Sequence, residues 1–105
     1  MSSRRVVITG IGALTPVGKS APDFWNGLLS GESGAKNVER FDTTGFATTF
    51  ATQIDNYDPL NHFERKEARK LDLATQYALV ASEEAIIDSK LILSEIDKDR
   101  VGVHV

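Results

Sequence analysis

The sequence predicts an α/β protein, and three observations carry that prediction. An apolar run near the N-terminus, Val6-Val7-Ile8, has the character of a strand buried on both faces of a helix-covered parallel sheet. A second apolar run, Val101 to Val105, closes the chain in the same way. Between them, apolar residues recur at helical spacing in two stretches, so strands and helices alternate and right-handed crossovers are expected. At 105 residues, 41% hydrophobic and 26% charged, the chain has the size of one small domain with a real core, and its composition argues against disorder.

Each element has a local reason. After the first strand, Gly10-Ile11-Gly12 is expected to permit a tight, buried chain reversal, and Pro16 biases Thr15 toward extended geometry. A first helix starts near Ser20, where Ser20 and Asp23 resemble a capping box and Pro22 is tolerated in the first turn. Phe24, Trp25, Leu28 and Leu29 give it an apolar face, with Trp25 as a core anchor, and Gly31 supplies the C-terminal cap.

Residues Glu32 to Pro59 lack periodicity and read as surface cover, with one short, half-exposed strand near Phe50 to Ile54. Glu64 to Lys70 forms a short charged helical segment. A longer amphipathic helix follows from about Asp72 to Asp88, with Leu73, Tyr77, Val80, Ala81, Ala85 and Ile86 or Ile87 on its stripe. Ser94 to Asp99 is a charged turn.

Composition excludes several function classes. A net charge of −3 gives no global attraction to nucleic acid or anionic membrane. No apolar run approaches the roughly 20 residues of a membrane helix, and the N-terminus lacks the pattern of a signal peptide. The absence of cysteine removes disulfides and thiolate chemistry from the chain and makes a cytoplasmic setting the expectation. His62 and His104 lie far apart without metal-ligand spacing, so no metal site is expected. His62 reads as a solvated or capping residue, and His104 as a hydrogen-bonded buried histidine in the closing strand.

The glycine turn also invites a dinucleotide-binding reading, which fails on three requirements. The third glycine of the fingerprint would fall at Thr15, and Pro16 and Gly18 prevent a helix from opening at the turn. The acidic residue expected about 20 positions later falls in a loop at Gly31 or Glu32. A more informative cluster lies between Glu64 and Lys70, where four basic and two acidic residues give a local net of +2. Lys66, Arg69 and Lys70 share one helical face at i, i+3 and i+4, with Arg65 on its edge. From the residues alone this is a solvated face steadied by Glu64 and Glu67.

The stretch Arg4 to Gly18 (RRVVITGIGALTPVG) resembles the opening of the β-ketoacyl-acyl-carrier-protein synthases, particularly the type II condensing enzymes of fatty-acid synthesis. The resemblance continues through Phe24 to Gly34, Arg40-Phe41-Asp42, Arg65 to Asp72, Gln76 to Leu79 and Arg100 to Val103. It implies a thiolase-like fold, layered α-β-α-β-α, of which residues 1–105 would be an incomplete N-terminal segment of the synthase N-terminal domain. It implies fatty-acid chain elongation by condensation of malonyl-carrier protein with an acyl chain held on a catalytic cysteine, assisted by two histidines and no metal or organic cofactor. No catalytic residue carries over, since the chain has no cysteine and neither histidine matches. The chain alone is therefore expected to be inactive. Where the long helix ends, the family often has a small residue followed by Gly and this chain has Ser89-Lys90, so the resemblance implies left-handed geometry at Lys90, at a cost of roughly 1 kcal/mol for a residue with a Cβ.

For Lys66, Arg69 and Lys70, with Arg65 auxiliary, the resemblance implies a docking face for the acidic helix of acyl carrier protein. Acyl and malonyl thioesters and a homodimeric parent follow from the same resemblance. A stand-alone carrier-protein-binding module is the alternative of a different class. An uncovered apolar strand at the end of the chain is a further reason to expect an incomplete unit.

Overall fold

The computed structural model describes residues 2–105. In chain order it contains α1 (Ala21–Leu29), β1 (Ala35–Asn37), β2 (Phe50–Thr52), a 3-10 turn at Pro59–Asn61, α2 (Arg65–Lys70), α3 (Leu73–Ser89) and a second 3-10 turn at Lys98–Arg100. None of the helices is long and apolar enough to cross a membrane among the described residues.

Helix boundaries follow the local chemistry. The Ser20 hydroxyl accepts the Asp23 amide at 3.2 Å and satisfies one of the donors that a helix start leaves orphaned. At the other end of α1, Gly31 takes φ +75°, and the Glu32 and Gly31 amides donate to the Gly27 and Leu28 carbonyls. That pair of bonds is the usual way a left-handed residue closes a helix. In α3 the Asp72 carboxylate accepts the Thr75 amide at 2.7 Å. The helix ends at Lys90, left-handed at φ 57° as the resemblance implied, with its amide on the Ile87 carbonyl.

The link between the N-terminal segment and α3 is a close crossing. A Cβ at Gly12 would stand 1.8 Å from the Ala81 carbonyl oxygen, and one at Gly10 would stand 2.1 Å from that of Ala85. Neither glycine has positive φ, so their role is close backbone approach and not a chain reversal. Carboxylates on the same side of α3 complete the crossing. Asp88 accepts the Ile11 amide at 3.0 Å, while Glu84 accepts the amides of Ala13 and Ala21 at 2.7 Å each. Ala21 is the first residue of α1, so the Glu84 carboxylate also complements that helix's N-terminal dipole.

Several expectations need correction. Val6–Ile8 and Val101–Val105 form no ladder; the sheet among the described residues is the antiparallel pair β1–β2, registered Ala35–Thr52, Lys36–Ala51 and Asn37–Phe50. An apolar run supplies strand propensity, but a strand exists only where a neighbour accepts its hydrogen bonds, and neither run has one here. Val6 is therefore 93% exposed, and Val103 is 90% exposed beside a groove on α3 lined by Ala74, Ala78 and Leu79. The expected strand at Phe50 to Ile54 is shorter than foreseen, and its partner β1 was not foreseen at all.

Trp25, expected in the core, is 60% exposed, because no element among the described residues packs over that face of α1. His104, expected buried, is exposed with the terminal run that carries it. No apolar side chain is fully buried among the described residues. The accessible surface is 9073 Å² for 11.5 kDa, against roughly 5,800 Å² for a compact monomer of that mass. A Cα radius of gyration of 17.8 Å, against about 13 Å for a compact chain of this length, describes the same open layer.

Two substitutions test the crossing. Gly12→Ala must displace backbone on α3 and is expected to destabilise the protein by about 1–3 kcal/mol or prevent folding. Gly102→Ala, where an added Cβ meets nothing, should stay within about 0.5 kcal/mol of the parent in a denaturant or thermal melt. Equal effects from both would show that the close approach is not what holds this segment.

Candidate functional site

The basic cluster is displayed on α2, a helix of six residues whose N-terminal Glu64 makes no side-chain capping bond. Arg65, Lys66, Arg69 and Lys70 are all exposed, while Ala68 is half-buried on the inner side. Lys66, Arg69 and Lys70 thus stand together as their spacing predicts. Arg69 and Lys70 lie in the last turn, where positive charge complements the helix dipole. Among the described residues the ion pair within 4.0 Å is Lys36–Asp55, at 2.7 Å. The steadying role expected of Glu64 and Glu67 therefore takes no form of direct pairing, and the four cations face solvent.

What holds α2 in place is a polar elbow. Only Leu71 and Asp72 separate α2 from α3. Gln76, 3% exposed, is the one buried polar residue among those described. Its Nε2 donates to the Ala68 and Leu71 carbonyls at 3.1 Å each, and its Oε1 accepts the Tyr57 hydroxyl at 2.8 Å. Carbonyl oxygens only accept, so the amide nitrogen must face them and leave the oxygen for the phenol.

Tyr57 is fixed in turn by aromatic contacts, edge-on to Tyr77 at 5.0 Å and stacked on His62 at 5.7 Å. Burial, with smaller contributions from Tyr77 and Asp58, raises the Tyr57 phenol above its ordinary value, so it stays a neutral donor. His62, exposed at the end of the 3-10 turn, is the capping residue its surroundings foretold; its amide donates to Pro59.

The glycine stretch has a different occupation from the one its pattern invites. Its Ile11 and Ala13 amides, which a phosphate would need, are taken by Asp88 and Glu84. The turn at Thr15 is closed within itself, its hydroxyl accepting the Val17 and Gly18 amides and donating to the Gly18 carbonyl.

Four residues that organise the site were missed: Tyr57, Gln76, Glu84 and Asp88. A signal existed for three. Gln76, Glu84 and Asp88 are polar interruptions on or beside the α3 stripe, at three residues from Leu73, Ala81 and Ala85 respectively. A polar group recurring there is a candidate buried partner as much as a solvated one.

Comparison with known proteins agrees with the fold. A family model described as β-ketoacyl synthase, N-terminal domain, matches residues 3–105. The 3-oxoacyl-[acyl-carrier-protein] synthase 2 of Vibrio cholerae is 45% identical over the whole chain, and that of Synechocystis is 38% identical over the same span. In both cases the chain spans about a quarter of the relative's length, 25%. Among solved structures, the ishigamide ketosynthase/chain length factor aligns with a TM-score of 0.75 at 32% identity, covering 90% of this chain and 24% of that one.

The α3 cap gives a pH prediction. Hydrogen bonds from the Thr75 hydroxyl and amide hold the Asp72 carboxyl below its ordinary 3.8. A lowered value means the cap stabilises the fold above pH 3.8, and the contribution disappears as pH falls through the lowered value. The difference in melting temperature between the parent and Asp72→Asn should therefore be present at neutral pH and shrink in acid. A difference that grows on acidification would contradict the assignment.

Proposed function

This chain belongs to the β-ketoacyl synthase N-terminal domain family, and from that premise we propose that it is part of an enzyme that elongates acyl chains on a carrier protein. The observation that carries the proposal is the unbroken match of residues 3–105 to that domain, together with relatives named 3-oxoacyl-[acyl-carrier-protein] synthase 2. The reaction is a decarboxylative Claisen condensation. A malonyl thioester loses CO2, the resulting carbanion attacks the carbonyl of an acyl group held on a cysteine, and that cysteine leaves as a thiolate. The chain contains no cysteine, so these residues supply frame and encounter surface, and the reacting groups belong to other parts of the parent. A cytoplasmic, homodimeric parent is part of the same reading.

Within the chain, the functional element is the α2 face. Lys66, Arg69 and Lys70, with Arg65 at the edge, form the docking surface for the acidic acyl carrier protein. Four exposed cations on one short helix, none within 4.0 Å of a carboxylate among the described residues, support that role. Exposed ion pairs are individually weak, but a clustered field raises encounter rates and fixes orientation.

Two measurements on the full polypeptide that carries this segment test the reading. With malonyl- and acyl-carrier protein as substrates, a 3-oxoacyl product two carbons longer than the acyl donor should form; its absence would overturn the condensation assignment. Reversing Lys66, Arg69 and Lys70 to Glu should raise KM for carrier-bound substrate about 10-fold or more at low salt and invert its salt dependence, because salt screens the new repulsion from an acidic partner. Unchanged carrier affinity at low salt would remove the docking assignment.

A further inference from the structure

The elbow between α2 and α3 has a geometry that goes beyond holding two helices together. A helix as short as α2 leaves its last four carbonyls, those of residues 67–70, without intrahelical partners. One of these, Ala68, is taken by Gln76, and the carbonyl of Leu71, the capping residue, is taken by the same amide. The side chain that closes the end of α2 thus stands on the first full turn of α3. Its own orientation is set by the Tyr57 hydroxyl, which arrives from a loop whose Asn56 has φ 55° and whose carbonyl accepts Lys19 Nζ.

We propose that Gln76 is a positioning residue for the basic face: one buried amide, oriented by Tyr57, fixes the direction in which α2 presents Lys66, Arg69 and Lys70. The proposal rests on the docking reading of α2. Gln76 touches neither partner nor reacting atoms, and it acts only through the carbonyls of Ala68 and Leu71. Three hydrogen bonds converge on a side chain with almost no solvent access, so losing one leaves a buried polar group without a partner. α2 also packs against the 3-10 turn at Pro59–Asn61, but a helix this short with no capping bond at its start depends on such tertiary ties for its direction, and the Gln76 amide is the tie at its C-terminal end.

The test uses Gln76→Glu in the full polypeptide. This variant keeps an acceptor for Tyr57 and places carboxylate oxygen where the amide donated to two carbonyls. Amide hydrogen exchange in residues 65–70 should accelerate about 10-fold, while exchange in residues 82–89 stays as in the parent. KM for malonyl-carrier protein should rise roughly 3- to 10-fold, the range of one lost hydrogen bond, with kcat unchanged. KM for a malonyl-pantetheine thioester, which lacks the carrier protein, should not move.

Tyr57→Phe, which removes only the orienting hydroxyl, should give a smaller change in the same direction and covers the case in which Gln76→Glu does not fold. Equal losses on carrier-bound and carrier-free substrate, or unchanged exchange in α2, would overturn the positioning role. Lys66→Glu with Lys70→Glu, assayed alongside, separates the two readings. If that pair leaves carrier KM unaltered, the docking reading fails; faster α2 exchange in Gln76→Glu would still uphold Gln76 as the residue that orders this helix.

Discussion

The crossing of the N-terminal segment over α3 is the constraint on which the rest of the structure depends. It demands two things of the sequence at once. Gly10 and Gly12 must lack side chains, because the carbonyls of Ala85 and Ala81 stand where a Cβ would go. The amides brought so close must also find acceptors, and Asp88 and Glu84 supply them. Glu84 then reaches the first amide of α1, so a single carboxylate joins the crossing segment, the start of one helix and the flank of another. Backbone amides aimed at an anion are a familiar arrangement for binding phosphate. Here the anion is part of the protein, and the glycines serve packing.

A second polar junction, the Tyr57–Gln76 elbow, fixes α2 in a comparable way. In both places the structure is held by side-chain groups satisfying backbone groups and not by a buried apolar cluster. Such junctions are directional, whereas apolar burial is not. They define where each helix points while the broad apolar faces of the layer stay uncovered. The exposed Val6, Trp25 and Val103 are the counterpart of that division. The chain spans about a quarter of the length of the relatives it matches, 25%.

The proposed condensation asks little of these residues directly. In the proposed function an acyl chain and a malonyl group arrive on a carrier protein, and that reading makes delivery depend on a correctly aimed charged surface before any bond changes. A cluster of cations on a frayed or swinging helix would still attract an acidic partner, but it would not orient one. Coupling the proposed encounter surface to the Gln76 elbow would be a physical means of turning charge into geometry.

How legible all this was depends on the range of each interaction. Helix boundaries were readable where caps act over a few residues, as at Ser20 with Asp23 and at the left-handed Gly31; the left-handed end at Lys90 was legible only through the family likeness. The basic face was readable for the same reason, since i, i+3 and i+4 positions coincide on any helix. Strands were not readable in the same way. Val6–Ile8 and Val101–Val105 have strand composition, yet pairing depends on a neighbour that composition cannot specify, while β1, with the unremarkable residues Ala35, Lys36 and Asn37, gains its ladder from β2.

The sequence by itself determined the helices, their ends, the charged face of α2 and the family likeness, because all of these are written in residues close together in the chain. Only the tertiary structure decided what the glycines and the polar residues of α3 are for. Glu84 meets the Ala13 amide across 71 positions, and Asp88 meets that of Ile11 across 77. A carboxylate in a sequence is a charge; which amide it will accept is settled only when the backbone has brought the two within hydrogen-bonding reach.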